Sequence, residues 1–367
     1  MNNTSKNSIV VIASQPCRQA GAAKQSHYQQ DCFGRSFLAM TYFIVFRDAL
    51  NNTIIRNIFF LSAFALISIF SGCGGNNKKT IDETTTRGNI KIAVDEAYQL
   101  LFDTEIDTFE ALYKYAKVNP AYRSEGEAFE LLMKDSVRFV VTNRKLTDAE
   151  DQKLRSDKIV PKTIKIAYDA LAFIVNKENP DTLLLYHQIK DVFSGKTAKW
   201  SQLNPKSRLG DLIVVFDNNK SCNTRFIRET FELKNNFPAY CFAVKSNPEV
   251  INYVEKNKNA IGIISVNWIS DKDDTLSHGF LQKIKIVSVG DEGNTDGSGS
   301  FYKPYVGNIA EGSYPLKRDV YIINRETFYG LGSGFAQFVA GDQGQRIVLK
   351  SGLVPATMPI RLVQIKK

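Results

Sequence analysis

Histidine is scarce in this chain of 367 residues: His27, His187 and His278 stand in unlike contexts, too few and too scattered to build a structural zinc site or a histidine-based catalytic triad. Cysteine is nearly as thin. Cys17, Cys32, Cys73, Cys222 and Cys241 include no Cys-x-x-Cys pair and no Cys/His cluster, so no metal site is expected. Cys222 and Cys241 could pair in an oxidising compartment or remain two half-buried thiols. Basic residues (47) exceed acidic ones (38) for a net charge of +9, yet there is no Lys/Arg block and no basic-aromatic interleaving, which argues against a nucleic-acid partner. No internal repeat is visible.

What is present is enough apolar material, 43% of residues, to bury a real core in two domains or one large one. Residues 1–39 are polar, low in pattern and hard to read as a domain, and Met40 is a candidate true start. An apolar run over residues 58–70 follows Arg56. As a helix it would be about 20 Å long, short of the roughly 30 Å hydrocarbon core and suited to a signal-peptide apolar region. Ser71-Gly72-Cys73 closes it, and the Gly/Asn/Lys-rich residues 74–88 have a tether's composition. The folded part is expected to begin near Asn89.

Strand-like and helix-like text then alternate. Ile90-Lys91-Ile92-Ala93-Val94 reads as a first strand, residues 102–118 as a helix and residues 137–141 as a strand. Residues 164–175 form a long apolar stretch, residues 247–257 a helix, 260–264 and 284–289 strands, and 335–349 one amphipathic helix. Such alternation predicts an α/β fold with mostly parallel sheets. The most telling stretch is 213–229. The run Ile213-Val214-Val215-Phe216 reads as a buried strand, Asp217-Asn218-Asn219-Lys220-Ser221 breaks it, and residues 222–229 have helical period. A polar loop opening a helix offers unpaired N–H groups and dipole charge to an anion, with Ser221 and Thr224 as hydroxyl donors. The competing reading is that Ser221 or Asn223 only caps the helix. Ser221 has no histidine base fixed nearby, so an enzyme is not expected.

Several segments together resemble the extracytoplasmic phosphate-binding proteins of ABC transporters, a branch of the type II periplasmic binding fold, and most of all their lipoprotein members in Bacteroidetes-type bacteria. They are Ile166-Ala167-Tyr168-Asp169-Ala170-Leu171-Ala172-Phe173, Ile189-Lys190-Asp191-Val192-Phe193-Ser194-Gly195-Lys196 with Trp200, Asn259-Ala260-Ile261-Gly262, Tyr314-Pro315-Leu316-Lys317-Arg318, and Gly344-Gln345-Arg346-Ile347-Val348 with Gly352-Leu353-Val354-Pro355. These occur in the family's order across nearly all of residues 89–367. Ser71-Gly72-Cys73 likewise resembles a lipobox, with Phe70 in the usual Leu position. Cys73 would then carry palmitate-type acyl chains as the mature N-terminus of a membrane-anchored lipoprotein, residues 40–73 being its signal peptide.

The resemblance implies two α/β lobes joined by a hinge of two crossings, with residues 89–170 and 284–367 in lobe 1, residues 171–283 in lobe 2, and Asp169 and Ser288 near the crossings. It also implies a monomer, without cofactor, that captures a small oxyanion, phosphate first, and delivers it to an ABC permease. A non-transport lipoprotein using the fold as a scaffold or interaction module is the alternative. Carried over position by position, the ligand loops fall on Asp95 and Glu96, on Ser124 and Glu125, on Thr142, Asn143 and Arg144, and on Ser221, Cys222, Asn223 and Thr224 with Arg225. Asn218 takes the place of the family's upstream Arg. Arg144 is the strongest expected contact, because a guanidinium can grip an oxyanion bidentately. Asp95, Glu96 and Glu125 depart from the family's donors and would repel an anion unless paired, for instance by Arg144, Arg225 or Lys220, or turned away. Tyr98, Tyr168 and Trp268 are candidates for the cleft wall or for core.

Overall fold

The computed structural model describes residues 8–13, 83–270 and 275–365. The expected signal peptide, the lipobox with Cys73 and most of the tether lie outside the described residues, as does all of the N-terminal extension apart from residues 8–13. That short piece, β1 (Ser8–Ala13), is a strand, which the reading of residues 1–39 as patternless did not anticipate.

β2 (Arg87–Asp95) alternates at its start and is wholly buried from Ile92 onward, as a strand covered on both faces should be. Helix α1 (Gln99–Leu112) packs Leu101, Phe102, Ile106 and Phe109 inward, and β3 (Tyr115–Arg123) returns parallel to β2. The helix expected to run to residue 118 therefore stops at Leu112. From Tyr115 to Val118 exposure alternates with a period of two, and β3 tolerates Pro120 because it lies at the sheet's edge. After α2 (Glu125–Met133), β4 (Phe139–Thr142), α3 (Asp148–Ser156), β5 (Lys162–Asn176), β6 (Leu183–Leu184) and α4 (Tyr186–Ser194) come β7 (Ile213–Phe216), α5 (Cys222–Thr230), β8 (Cys241–Ala243), α6 (Asn247–Lys256) and β9 (Ala260–Ser265). The chain ends with β10 (Ile284–Ile286), β11 (Ser288–Gly290), β12 (Phe301–Tyr302), β13 (Lys317–Asn324), α7 (Leu331–Ala340), α8 (Asp342–Lys350), β14 (Val354–Pro355) and β15 (Ile360–Ile365). The single helix expected over 335–349 is two helices that share Gly341 as cap.

The main sheet runs β3-β2-β4-β13-β5-β9-β7-β8, with β10 and β14 also paired to β5. Both ends are parallel, β2 with β3 and β4, and β7 with β8 and β9. The centre is antiparallel, because β13 pairs with β4 and β5, and β5 with β9. The expected α/β class with parallel pairing holds in the two end regions of the main sheet. β5 links them: its residues 162–170 pair with β13 and its residues 171–175 with β9. β1 pairs antiparallel with β15 in a separate two-stranded sheet.

One large apolar cluster runs the length of the main sheet, and a smaller one joins Phe129 and Leu132 of α2 to Val140, Tyr321 and Ile323. No described helix is long and apolar enough to cross a membrane. β2, β4 and β7 each end in a polar loop that leads into a helical turn or helix, and those loops meet.

Candidate functional site

At the end of β2 the Asp95 carboxylate caps the short turn that follows, its Oδ1 accepting the Ala97 N–H at 2.9 Å and the Cys222 S–H at 3.3 Å. Cys222 opens α5, so this contact joins the two ends of the sheet. A second link is the Gly126 N–H donating to the Lys220 carbonyl at 3.3 Å. A third is the Asn247 N–H, at the start of α6, donating to Glu96 Oε1 at 3.2 Å.

The centre of the site is Glu125, the first residue of α2, whose side chain is 4% exposed. Its Oε2 accepts the Thr142 hydroxyl at 2.6 Å and Arg225 Nη2 at 3.1 Å, and its Oε1 accepts Arg225 Nε at 2.5 Å. Arg225 Nη2 also donates to Asn143 Oδ1, and its Nη1 to Glu229. Arg144 Nε lies 3.5 Å from Glu125 Oε1, but its two terminal nitrogens hold Glu150 at 2.7 and 2.8 Å, and its guanidinium stacks 3.5 Å over the Phe129 ring. The expected bidentate grip exists, then, on a carboxylate of the chain's own α3.

The loop before α5 resolves the capping question. Ser221 Oγ accepts the Thr224 N–H at 3.2 Å and donates to Asp217 Oδ1 at 2.7 Å. Thr224 Oγ1 donates to the Asn218 carbonyl at 2.6 Å. Asn218 folds its own turn, accepting the Lys220 N–H at 2.8 Å. Asn223 Nδ2 donates to Asp217 Oδ2 at 3.1 Å. The hydroxyls of Ser221 and Thr224 are thus already engaged, which corrects their reading as free donors. Asp217 was passed over as a loop-former, and it organises the whole turn.

Other polar atoms here have no partner. Ser124 Oγ, Asn143 Nδ2, Asp95 Oδ2, Asn247 Oδ1 and Arg318 Nη1 are buried without a hydrogen bond, a costly condition for each. Arg318, on β13, donates from Nε to Asp169 Oδ2 at 2.8 Å, and its side chain is 1% exposed. Sequence reading placed Arg318 in a family segment without a role. The signal it offered was weak, since Arg318 lies between two other charged residues, Lys317 and Asp319, at the start of its strand. Its charge offsets acid in the loop, being among the influences that lower the Asp217 and Cys222 values.

The acids are strongly perturbed. Burial, and next the Glu125 charge, push Asp95 up to about 7. Burial and the Asp217 charge push Glu96 up to about 7 as well. Asp217 is raised by burial, against hydrogen bonds from Ser221 and Asn223. Burial also raises the Cys222 thiol, with the Asp95 charge adding to it, so Cys222 is an unreactive S–H donor. Cys222 and Cys241 are both free and buried. Tyr98 and Trp268 are core residues. Tyr168 is half-buried, with the ammonium groups of Lys165 and Lys317 over its ring.

Comparison with known proteins follows the same lines. Residues 80–343 match the model of the PBP superfamily domain, and the chain belongs to that superfamily. The phosphate-binding protein PstS of Staphylococcus epidermidis is 25% identical over 281 residues, covering 76% of this chain and 82% of that protein. Its namesake in Staphylococcus saprophyticus is 26% identical over 292 residues, covering 78% and 86%. Among solved structures, a phosphate ABC transporter substrate-binding protein of Clostridium perfringens with bound phosphate shares the fold at a TM-score of 0.62 and 21% identity, over 73% of this chain and 100% of that one. An ABC-type phosphate transport receptor of Vibrio cholerae does so at 0.56 and 20%, over 74% and 100%. The fold is that of the type II periplasmic phosphate-binding proteins.

Proposed function

We propose that this PBP-superfamily chain is an extracytoplasmic solute-binding lipoprotein, monomeric and non-catalytic, that captures a small oxyanion between two lobes and passes it to an ABC permease. Phosphate is the first candidate, because the relatives in Staphylococcus are named for binding it and the Clostridium perfringens structure holds it. The observation that carries the reading is the set of buried polar atoms without partners at the ends of separate strands, Ser124 Oγ, Asn143 Nδ2 and Arg318 Nη1. An oxyanion accepts from several donors at once and would satisfy all three.

In this reading residues 89–170 with 284–367 form one lobe and residues 171–283 the other. β5 changes partner between Ala170 and Leu171, and the Val287 N–H donates to Phe173 at the return crossing. Asp169 stands beside the first crossing and Ser288 beside the second. Ser124, Thr142, Asn143 and Arg318 would contact the ligand from one side and Arg225 from the other, so that ligand favours the closed arrangement by its differential contacts. Asp95 Oδ2, bearing a proton or lacking one at neutral pH, could donate to the anion or accept from hydrogen phosphate. Cys73, acylated, would hold the chain to the membrane by residues 74–88.

Calorimetric titration of the full chain with inorganic phosphate tests this. Saturable binding at micromolar to low millimolar phosphate is expected. A folded chain that gives no heat at millimolar phosphate would sink the reading and favour the scaffold alternative, to which the Glu125–Arg225 pairing lends support because it already fills the meeting point of the loops.

A further inference from the structure

Glu125 is unusual in what it receives. Its carboxylate takes a hydroxyl, a bidentate guanidinium and the edge of a second guanidinium, which is a donor set suited to a tetrahedral oxyanion. It follows Ser124 in sequence and shares Arg225 Nη2 with Asn143; Ser124 Oγ and Asn143 Nδ2 have no partner, and both residues are more than nine-tenths buried. It also bridges the two ends of the sheet, because Thr142 closes β4 whereas Arg225 belongs to α5 after β7.

We infer that Glu125 is an internal oxyanion: its carboxylate occupies the seat of the ligand, latches the loops together in the ligand-free chain, and must be displaced by an incoming anion. This rests on the oxyanion reading above and adds its regulation. The consequence is a threshold. A free anion gains the Thr142 and Arg225 hydrogen bonds only as Glu125 loses them, and a displaced but still nearby carboxylate repels it. Affinity is thereby set lower than the donors alone would allow, and selectivity falls on anions able to use Ser124, Asn143 and Arg318 as well, contacts that the planar Glu125 carboxylate leaves unmade. The acid at the start of α2 is also favoured by the helix dipole, so the latch rests in a stable place when engaged.

The test compares the full native chain with Glu125→Gln, Glu125→Gly and Arg225→Gln, by calorimetry with inorganic phosphate and by small-angle scattering of the ligand-free proteins. Both Glu125 variants should bind phosphate at least about tenfold more tightly than native, since a repelling charge and a competitor are removed together. Arg225→Gln should bind it more weakly. All three should be more expanded without ligand. A Glu125 that served only to support the loops would give the same sign in every variant, so Glu125→Gln and Glu125→Gly binding equally or more weakly than native would overturn the latch. If no protein binds phosphate, the oxyanion reading fails, and scattering alone then decides: expansion of Glu125→Gln upholds an internal clamp, and an unchanged radius overturns it.

Discussion

Glu105 sits on α1 with neither carboxylate oxygen hydrogen-bonded, wholly shielded from water, and burial pushes it up to about 9. Its folded value is therefore above its unfolded one. Below about pH 4 the group is neutral in both states and costs nothing electrostatic. As pH rises from there to about 9 the unfolded chain ionises first, and stability falls by about 1.4 kcal/mol per unit. Asp95 and Glu96 act with the same sign but finish near pH 7, and the buried Cys222 and Cys241 thiols begin to add to the slope only as pH nears their ordinary value of 9, so Glu105 dominates the window from 7 to 8. Glu105→Gln should abolish most of the slope in that window, and Glu105→Met should raise stability at pH 8 by several kcal/mol, on the order of the accumulated penalty. Urea unfolding at pH 5, 7 and 8 measures both; parallel native and Glu105→Gln curves would refute the assignment. At this scale sequence was a partial guide. The loops carrying Asp95, Glu125, Thr142, Asn143 and Arg225 stood out in the sequence because polar residues cluster where strands end, and the structure brings them together. Which of their atoms are free could not be read, since that depends on partners such as Asp217 and Glu150 chosen by tertiary placement.

Elements were legible where a single period ran through them and illegible where two met. α7 and α8 merge on paper into one amphipathic stretch, because apolar residues recur on both sides of Gly341 and no proline marks the break. β3 was absorbed into α1 because Ala116 fits either period. β5 is the element on which most depends. At the point where it exchanges β13 for β9, Asp169 accepts Arg318 Nε at 2.8 Å, Ser265 Oγ at 3.0 and 3.1 Å, and the Tyr98 hydroxyl at 3.2 Å. One carboxylate thus ties β13, β9 and the turn after β2 to the crossing. Asp169→Asn keeps the shape and removes the charge, leaving the Arg318 guanidinium buried without its counter-ion. The expected cost is about 3–5 kcal/mol of stability, the usual penalty of breaking rather than replacing a buried pair. Asp169→Asn combined with Arg318→Met should recover much of it, and thermal unfolding of the three chains checks the pattern. Equal losses in the single and double variants would mean that Asp169 matters for its hydrogen bonds to Ser265 and Tyr98 rather than for the charge.

At the scale of the whole molecule the α/β class was readable from alternation. The insertion of β13 between β4 and β5 was not, because no local signal reveals a pairing between residues more than 140 positions apart. The N-terminal strand poses the sharper question. β1 (Ser8–Ala13) is the partner of β15 (Ile360–Ile365) over six residue pairs, from Ser8 with Ile365 to Ala13 with Ile360. Processing at Cys73 would remove β1, so the lipoprotein reading and this pairing cannot describe the same form of the chain. The full chain should show slow amide exchange over residues 360–365, since a strand paired along one edge protects alternate N–H groups. The chain processed at Cys73 should exchange there at nearly the rate of an unfolded peptide, while β2, β5 and β13 keep their protection. Hydrogen exchange read by mass spectrometry, with intact mass fixing the N-terminus of each form, measures both. Undiminished protection of residues 360–365 after processing would show that β15 is held by something other than β1, and an intact mass that retains residues 1–72 in the membrane-bound form would remove Cys73 from its assigned place at the mature N-terminus.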